Sequence, residues 1–145
     1  MSRSEDHSAN ELRELGESAR QRRDLTAALR HYEEASKLLR GSPDQLKFAH
    51  TVRHLGDVYM EQGDYLRAEP CYFEALAIYR NHPSPPKLDL ANAIRAYAVL
   101  MTGTGRPDKS RPLWTEAAGL YKDLRIAEGV EECARRIHQM DTAKE

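Results

Sequence analysis

The sequence predicts an all-α fold: a right-handed α-solenoid of three antiparallel helical hairpins followed by a C-terminal capping helix. Three observations carry that expectation. Amphipathic segments with three-and-four spacing follow one another from about residue 10 to residue 140, parted by short turns that contain Gly, Pro and Asp. A register of small and large apolar residues returns every 40 to 42 positions, aligning Leu15-Gly16 with Leu55-Gly56 and Tyr97-Ala98. The same register aligns Ala28, Ala68 and Ser110, then Tyr32, Tyr72 and Trp114, then Ala35, Ala75 and Ala117. Finally, the last segment has a charged outer face and nothing after it to cover. Recurrence at that length marks stacked helical hairpins.

The first hairpin is expected from about Asn10 to Gln21 and from about Thr26 to Arg40. Leu12, Leu15 and Ala19 form one apolar face, and Ala28, Leu29, Tyr32, Ala35, Leu38 and Leu39 form the other. The short joint Arg22-Arg23-Asp24 makes the two antiparallel neighbours. Gly41 suits a left-handed helix end, Ser42 an N-cap, Pro43 the first helical position and Gln45 the return arm of a capping box. The second hairpin then spans about Pro43 to Gln62 and Leu66 to Arg80, turning at Gly63-Asp64. In the third, Ser84-Pro85 repeats the cap-then-proline device, helices cover about Pro85 to Thr102 and Asp108 to Lys122, and Asp108 caps the second. The closing helix, about Ile126 to Met140, places Val130, Cys133, Ala134 and Ile137 inward and Glu131, Glu132, Arg135 and Arg136 outward. The repeats thus occupy about 10–41, 42–83 and 84–124 of a single domain, with the capping helix at about 125–140. Residues 1–9 and 141–145 are expected as a disordered head and a frayed tail.

Bulk chemistry narrows the function classes. With 22 basic and 23 acidic residues the net charge is -1, which supplies no global field for nucleic acid or an anionic membrane. The head Met1 to Ala9 is too polar for a signal peptide and no apolar run suits a bilayer span, so a cytoplasmic protein is expected. Cys71 and Cys133 lie far apart with no CxxC spacing, and both are expected as buried free thiols.

The repeated columns resemble the tetratricopeptide repeat. The middle copy supplies Val52, Leu55, Gly56, Tyr59, Ala68, Tyr72 and Ala75 at the family's offsets. The first supplies Leu12, Leu15, Gly16, Ala19, Ala28, Tyr32 and Ala35, and a degenerate third supplies Ile94, Tyr97, Ala98, Met101, Ser110, Trp114 and Ala117. The long period, with Ala68-Glu69-Pro70-Cys71-Tyr72 and Ser110-Arg111-Pro112-Leu113-Trp114, is similar to the repeats of kinesin light chains. In physical terms Gly16, Gly56 and Ala98 let the returning helix come close, and Tyr32, Tyr72 and Trp114 fill the space so opened. Trp114 reads as core rather than as a stacking platform. Pro70 and Pro112 are expected near the first turns of their helices, where a missing N–H costs little.

The resemblance implies that the first helix of each hairpin lines a concave groove that holds a peptide. Three residues before the small column stand Arg13, Arg53 and Arg95, a ladder suited to forked bonds with carboxylate or phosphate. Glu17 and Asp57 follow Arg13 and Arg53 at i+4, so a plain surface ion pair competes with that role. Arg95 faces Val99 instead, which makes it the most available of the three. The family's carboxylate clamp needs asparagine where Glu17, Asp57 and Val99 stand, so a free C-terminus is a poor ligand here. Glu128 and Glu131 would make the far end of the groove acidic, and Met60, Asn92 and Val99 complete its expected lining with His50. A protein or peptide partner with an acidic segment fits such a groove.

Other chemistry is weaker. His50, His54 and Asp57 share a helical face at i, i+4 and i+7, a spacing zinc sites use, but no fourth ligand is visible and Arg53 lies among them. The loop Gly103 to Ser110 fails as a phosphate cradle, because Asp108 stands where glycine is needed and a helix precedes it. The expectation is therefore a non-catalytic adaptor with no cofactor and no metal. Self-association, including a homodimer, is the alternative, and a metal-dependent enzyme the remote one.

Overall fold

The computed structural model describes residues 2–143. Among them run seven α-helices and no strand: α1 (Arg3–Gln21), α2 (Leu25–Leu39), α3 (Gln45–Glu61), α4 (Tyr65–Asn81), α5 (Lys87–Gly103), α6 (Pro107–Asp123) and α7 (Ala127–Ala143). They pack as two compact units, Met1–Asn81 and His82–Glu145. In the first, α1 packs on α2, α2 on α3 and α3 on α4; in the second, α5 packs on α6 and α6 on α7.

The tight joints share one backbone device. Arg23, Gly63, Gly105 and Arg125 take left-handed dihedrals. The next N–H then reaches back across the helix end, from Asp24 to the Ala19 carbonyl at 2.9 Å and from Asp64 to Tyr59 at 2.8 Å. Arg106 to Met101 and Ile126 to Tyr121 repeat it at 2.9 Å each. Asp24 and Asp64 next accept from the N–H groups of Ala27 and Arg67, both at 3.2 Å, so a single aspartate ends the reversal and opens the following helix.

Inside each hairpin the small column meets the large one. A Cβ placed on Gly16 would lie 3.0 Å from the Tyr32 ring, and one on Gly56 would lie 2.7 Å from Cε1 of Tyr72. Tyr32, Tyr72 and Trp114 are all buried, each side chain of that size contributing roughly 1.5–3 kcal/mol. Trp114 donates its indole N–H to Thr102 Oγ1 at 3.0 Å, and the Arg136 guanidinium covers its ring at 5.2 Å. That is a core residue with its one polar atom satisfied.

Several local expectations are corrected. The head is not disordered from residue 2 onward: Ser2 and Glu5 form a reciprocal capping box, α1 starts at Arg3, and Ala9 is buried with Leu39, Phe48 and Val52. At the other end α7 extends to Ala143, while Lys144 and Glu145 lie outside the described residues. Asp44, not Ser42, caps α3, accepting from the Lys47 N–H at 3.0 Å, because a carboxylate is the stronger acceptor at a helix start. Ser42 is buried, and its carbonyl takes Gln45 Nε2 at 2.8 Å. Helix α5 begins only after Pro86, with no side-chain cap, since a residue followed by proline is pushed out of helical geometry. Pro107 occupies the first position of α6, and Asp108 lies in its first turn rather than capping it. Pro70 and Pro112 sit inside their helices, past the first turn, and so leave the carbonyls of Leu66 and Asp108 without a helical donor. Leu15, expected in the core, is 50% exposed beside Glu11, Glu14 and Ser18.

Candidate functional site

The first unit holds a cleft of about 810 Å³ between α1 and α3, with the Tyr32 ring as part of its floor. Helical spacing explains the lining: Asn10, Arg13, Glu17 and Arg20 recur along one face of α1, and His50, His54 and Glu61 along one face of α3. Of the predicted groove residues, Arg13, Glu17 and His50 line this cleft. Arg20, Arg23, Glu61 and Tyr32 line it too and escaped the sequence reading.

Side chains wire the two helices together. Arg20 donates from Nε to Glu61 Oε1 at 2.6 Å, and Arg23 reaches Glu61 Oε2 at 3.1 Å. Burial works against charge on Arg20, but Glu61 and Asp57 together overcome it and hold its pKa above the ordinary value. Arg13 turns away from Glu17: its guanidinium bonds Asn10 Oδ1 at 3.5 Å and His50 Nδ1 at 3.0 Å. Accepting there puts the His50 proton on Nε2, which lies 3.3 Å from His54 Nε2. The two rings meet edge to face at 4.4 Å, and His54 also stacks with Tyr32 at 5.9 Å.

His54 is held neutral. Burial first, then Arg53 and, with the neighbouring His50 ring, Arg20 and Arg13, push its pKa down to about 2. Arg53 makes the local i, i+4 pair with Asp57 at 3.5 Å, both side chains being 15% exposed. Burial lifts the Asp57 carboxyl, opposed by Arg53 and by the Tyr72 hydroxyl, which donates to it at 2.6 Å. Guanidinium groups thus flank the imidazoles of His50 and His54. Among the described residues no three His, Cys, Asp or Glu side chains are arranged to hold a metal ion.

The second unit revises the remaining residues. Arg95 is not available: its Nε and Nη2 fork onto Glu132 of α7 at 2.5 and 2.9 Å. The Arg95 bond holds the Glu132 carboxyl below the usual range despite partial burial. Glu132, placed on the outer face by sequence, is instead 18% exposed and engaged by the Arg95 fork. Glu128 and Glu131 are exposed. Asn92 Oδ1 accepts from the Tyr121 hydroxyl at 2.7 Å, and Val99 is half-buried. Both cysteines are free; Cys133 is buried as expected, whereas Cys71 is only partly so. Burial pushes the Cys71 thiol up to about 12 and that of Cys133 up to about 11.

Against known families, the tetratricopeptide repeat matches residues 47–123, more than half of the chain. The chain belongs to the tetratricopeptide repeat family. Solved structures agree on the all-α helical-repeat fold. BtubC (BKLC) from P. vanneervenii superposes with a TM-score of 0.73 at 21% identity, covering 81% of this chain and 48% of that one. The Rap conjugation gene regulator of plasmid pLS20, in complex with the Phr* peptide, gives 0.72 at 18% identity over 90% of this chain and 36% of that one. The N-terminal domain of stress-induced protein-1 from C. elegans gives 0.67 at 19% identity, covering 92% of this chain and 99% of that domain. The chain therefore spans about half or less of the first two neighbours. At these identities the likeness shows the fold alone. No curated protein matches by sequence. Tetratricopeptide repeats make protein-interaction modules, and among the described residues no helix is long and apolar enough to cross a membrane.

Proposed function

We propose that the protein is a non-catalytic adaptor which holds a peptide or helix of a partner protein, and that the α1–α3 cleft is where it does so. One observation carries this reading. Within the cleft Arg20 and Arg23 share Glu61, whereas Arg13, half-buried, rests on the neutral acceptors Asn10 and His50. A guanidinium with only neutral partners keeps its full attraction for an incoming carboxylate. Glu14 and Glu17 stand exposed on the same wall, so the segment that fits carries an acidic residue for Arg13 and a basic one beside it.

The interlocked side chains support a preformed site, which lowers the ordering cost of binding. That the Rap regulator holds a peptide in its own structure supports a peptide as the ligand class. In the second unit, exposed Glu128 and Glu131 are proposed contacts for basic residues, while Arg95 is excluded because Glu132 fills its fork. The free thiols of Cys71 and Cys133 suit a reducing, cytoplasmic setting.

The test is photo-crosslinking from a reactive side chain placed at Glu17, in the cleft, or at Glu34, exposed on α2. Peptides identified by mass spectrometry should be captured at position 17 and not at 34. Arg13→Glu should weaken that capture roughly 10- to 100-fold, the weight of a charged hydrogen bond. Equal capture by Arg13→Glu and the unaltered protein rejects the cleft as the site.

A further inference from the structure

Helix α4 carries an apolar stripe that its own unit leaves uncovered. Leu66, Pro70 and Phe73 recur at helical spacing; Leu66 is 87% exposed and Phe73 64%. Repeat stacking does not ask for it. The equivalent positions are Thr26, Arg30 and Glu33 in the first repeat and Asp108, Pro112 and Thr115 in the third. Only α4 is apolar throughout, and contiguous exposed apolar surface of this kind marks an interaction face.

Helix geometry points to what covers it. Leu66 and Phe73 are equidistant from a midpoint between Glu69 and Pro70, so an antiparallel second copy brings each Leu66 level with the other chain's Phe73 and sets the two prolines together. Arg67 and Glu74, seven residues apart, project from one flank of the stripe. Under the same two-fold axis each Arg67 lies about 3 Å, in axial rise, from the copy's Glu74, giving two reciprocal ion pairs. Both already hold ion pairs within the chain, so the contact between copies exchanges partners: Arg67, 71% exposed, meets Asp64 at 3.4 Å, and Arg40, 62% exposed, forks onto both oxygens of Glu74 at 3.0 and 3.2 Å. The stripe is thus complementary to itself in shape and in charge, which an isologous contact requires.

We propose that this stripe is a homodimer interface, an antiparallel contact between α4 and the α4 of a second copy. Its size sets its strength. A stable interface takes about 800 Å² from each partner, and a three-residue stripe provides only a fraction of that. Glu69, on the opposite flank, approaches its own copy near the axis and weakens the contact further. A weak, reversible dimer follows.

Sedimentation equilibrium of the full chain from about 10 µM to 1 mM tests this without reference to the cleft, whose own test turns on Arg13. The expected result is a monomer–dimer equilibrium that Phe73→Glu and, separately, Leu66→Glu weaken at least tenfold while the circular dichroism stays unchanged. Arg67→Glu should weaken it as well, and mixing Arg67→Glu with Glu74→Arg should restore association between the two variants. A chain that stays monomeric to 1 mM overturns the proposal, as does a dimer indifferent to Phe73→Glu. Crosslinking from position 73 only to a different protein overturns it in favour of a heterologous partner.

Discussion

Two glycines of the second unit should respond to alanine with opposite signs, and the packing fixes how far apart they fall. Gly119 lies in α6, exposed, with nothing within 4 Å of where its Cβ would stand. Gly119→Ala therefore removes backbone entropy from the unfolded chain at no steric cost, a gain of roughly 0.5–1 kcal/mol. Gly129 lies in α7 against the ring of Tyr121, and an added Cβ would sit 2.5 Å from Cγ, 2.7 Å from Cδ2 and 2.8 Å from Cδ1. Tyr121 has no room to yield, being buried and tied by its hydroxyl to Asn92 at 2.7 Å. Forcing a methyl against a fixed ring costs at the upper part of the usual 1–3 kcal/mol overpacking range, and the same helix-propensity gain of about 1 kcal/mol offsets part of it. The net is a loss of about 2 kcal/mol, leaving the two variants roughly 3 kcal/mol apart. Urea titrations followed by circular dichroism at 222 nm measure that gap directly, and in thermal melts it corresponds to about 6–12 °C. A Gly129→Ala chain as stable as Gly119→Ala would falsify the close approach of α7 to α6.

Two further predictions concern charge and backbone. His54 has a folded pKa of about 2 against an ordinary 6.5, so below pH 6.5 the unfolded chain takes up a proton that the folded chain refuses. Its contribution is complete above that pH and declines as pH falls, by about 2 kcal/mol between pH 7 and pH 5. The raised Asp57 acts in the opposite direction, favouring the folded state on acidification, so the measurement is the difference between the unaltered chain and His54→Gln in urea titrations at both pH values. An identical pH dependence in the two proteins contradicts the buried neutral ring. Separately, Arg125 is exposed and left-handed at φ 58°, a conformation that costs a non-glycine residue about 1 kcal/mol. Arg125→Gly should raise stability by roughly 0.5–1 kcal/mol in the same assay, and a loss would show that the arginine side chain contributes more than its backbone strain removes.

The parts of this fold legible in the sequence are those that local chemistry decides. The joints of the first two hairpins announce themselves in three residues, because a left-handed residue followed by a helix-capping aspartate is a short-range device. The small and aromatic columns are legible for a similar reason: Gly56 and Tyr72 meet inside one hairpin, at a separation the repeat holds constant. Polar starts are harder to see. Ser2 and Glu5 open α1 with a complete capping box, yet the residues after them lack apolar periodicity until Ala9 enters the core, so nothing hydrophobic marks the helix.

The arginine column shows why a candidate site is only half legible. Arg13 reaches His50 and Arg95 reaches Glu132, each 37 residues further on. Both targets stand three positions before the next step of the arginine register, Arg53 in one case and Arg135 in the other. Arg13 and Arg95 thus each tie their own helix to another helix of the same unit, while Arg53 keeps its local pair with Asp57. What repetition cannot reveal is the identity of the acceptor. A carboxylate at Glu132 consumes the charge of Arg95, while a neutral imidazole at His50 leaves that of Arg13 unspent. The same bond in the same register thus closes one arginine and leaves the other facing an open cleft, and ligand binding is proposed where the acceptor carries no charge.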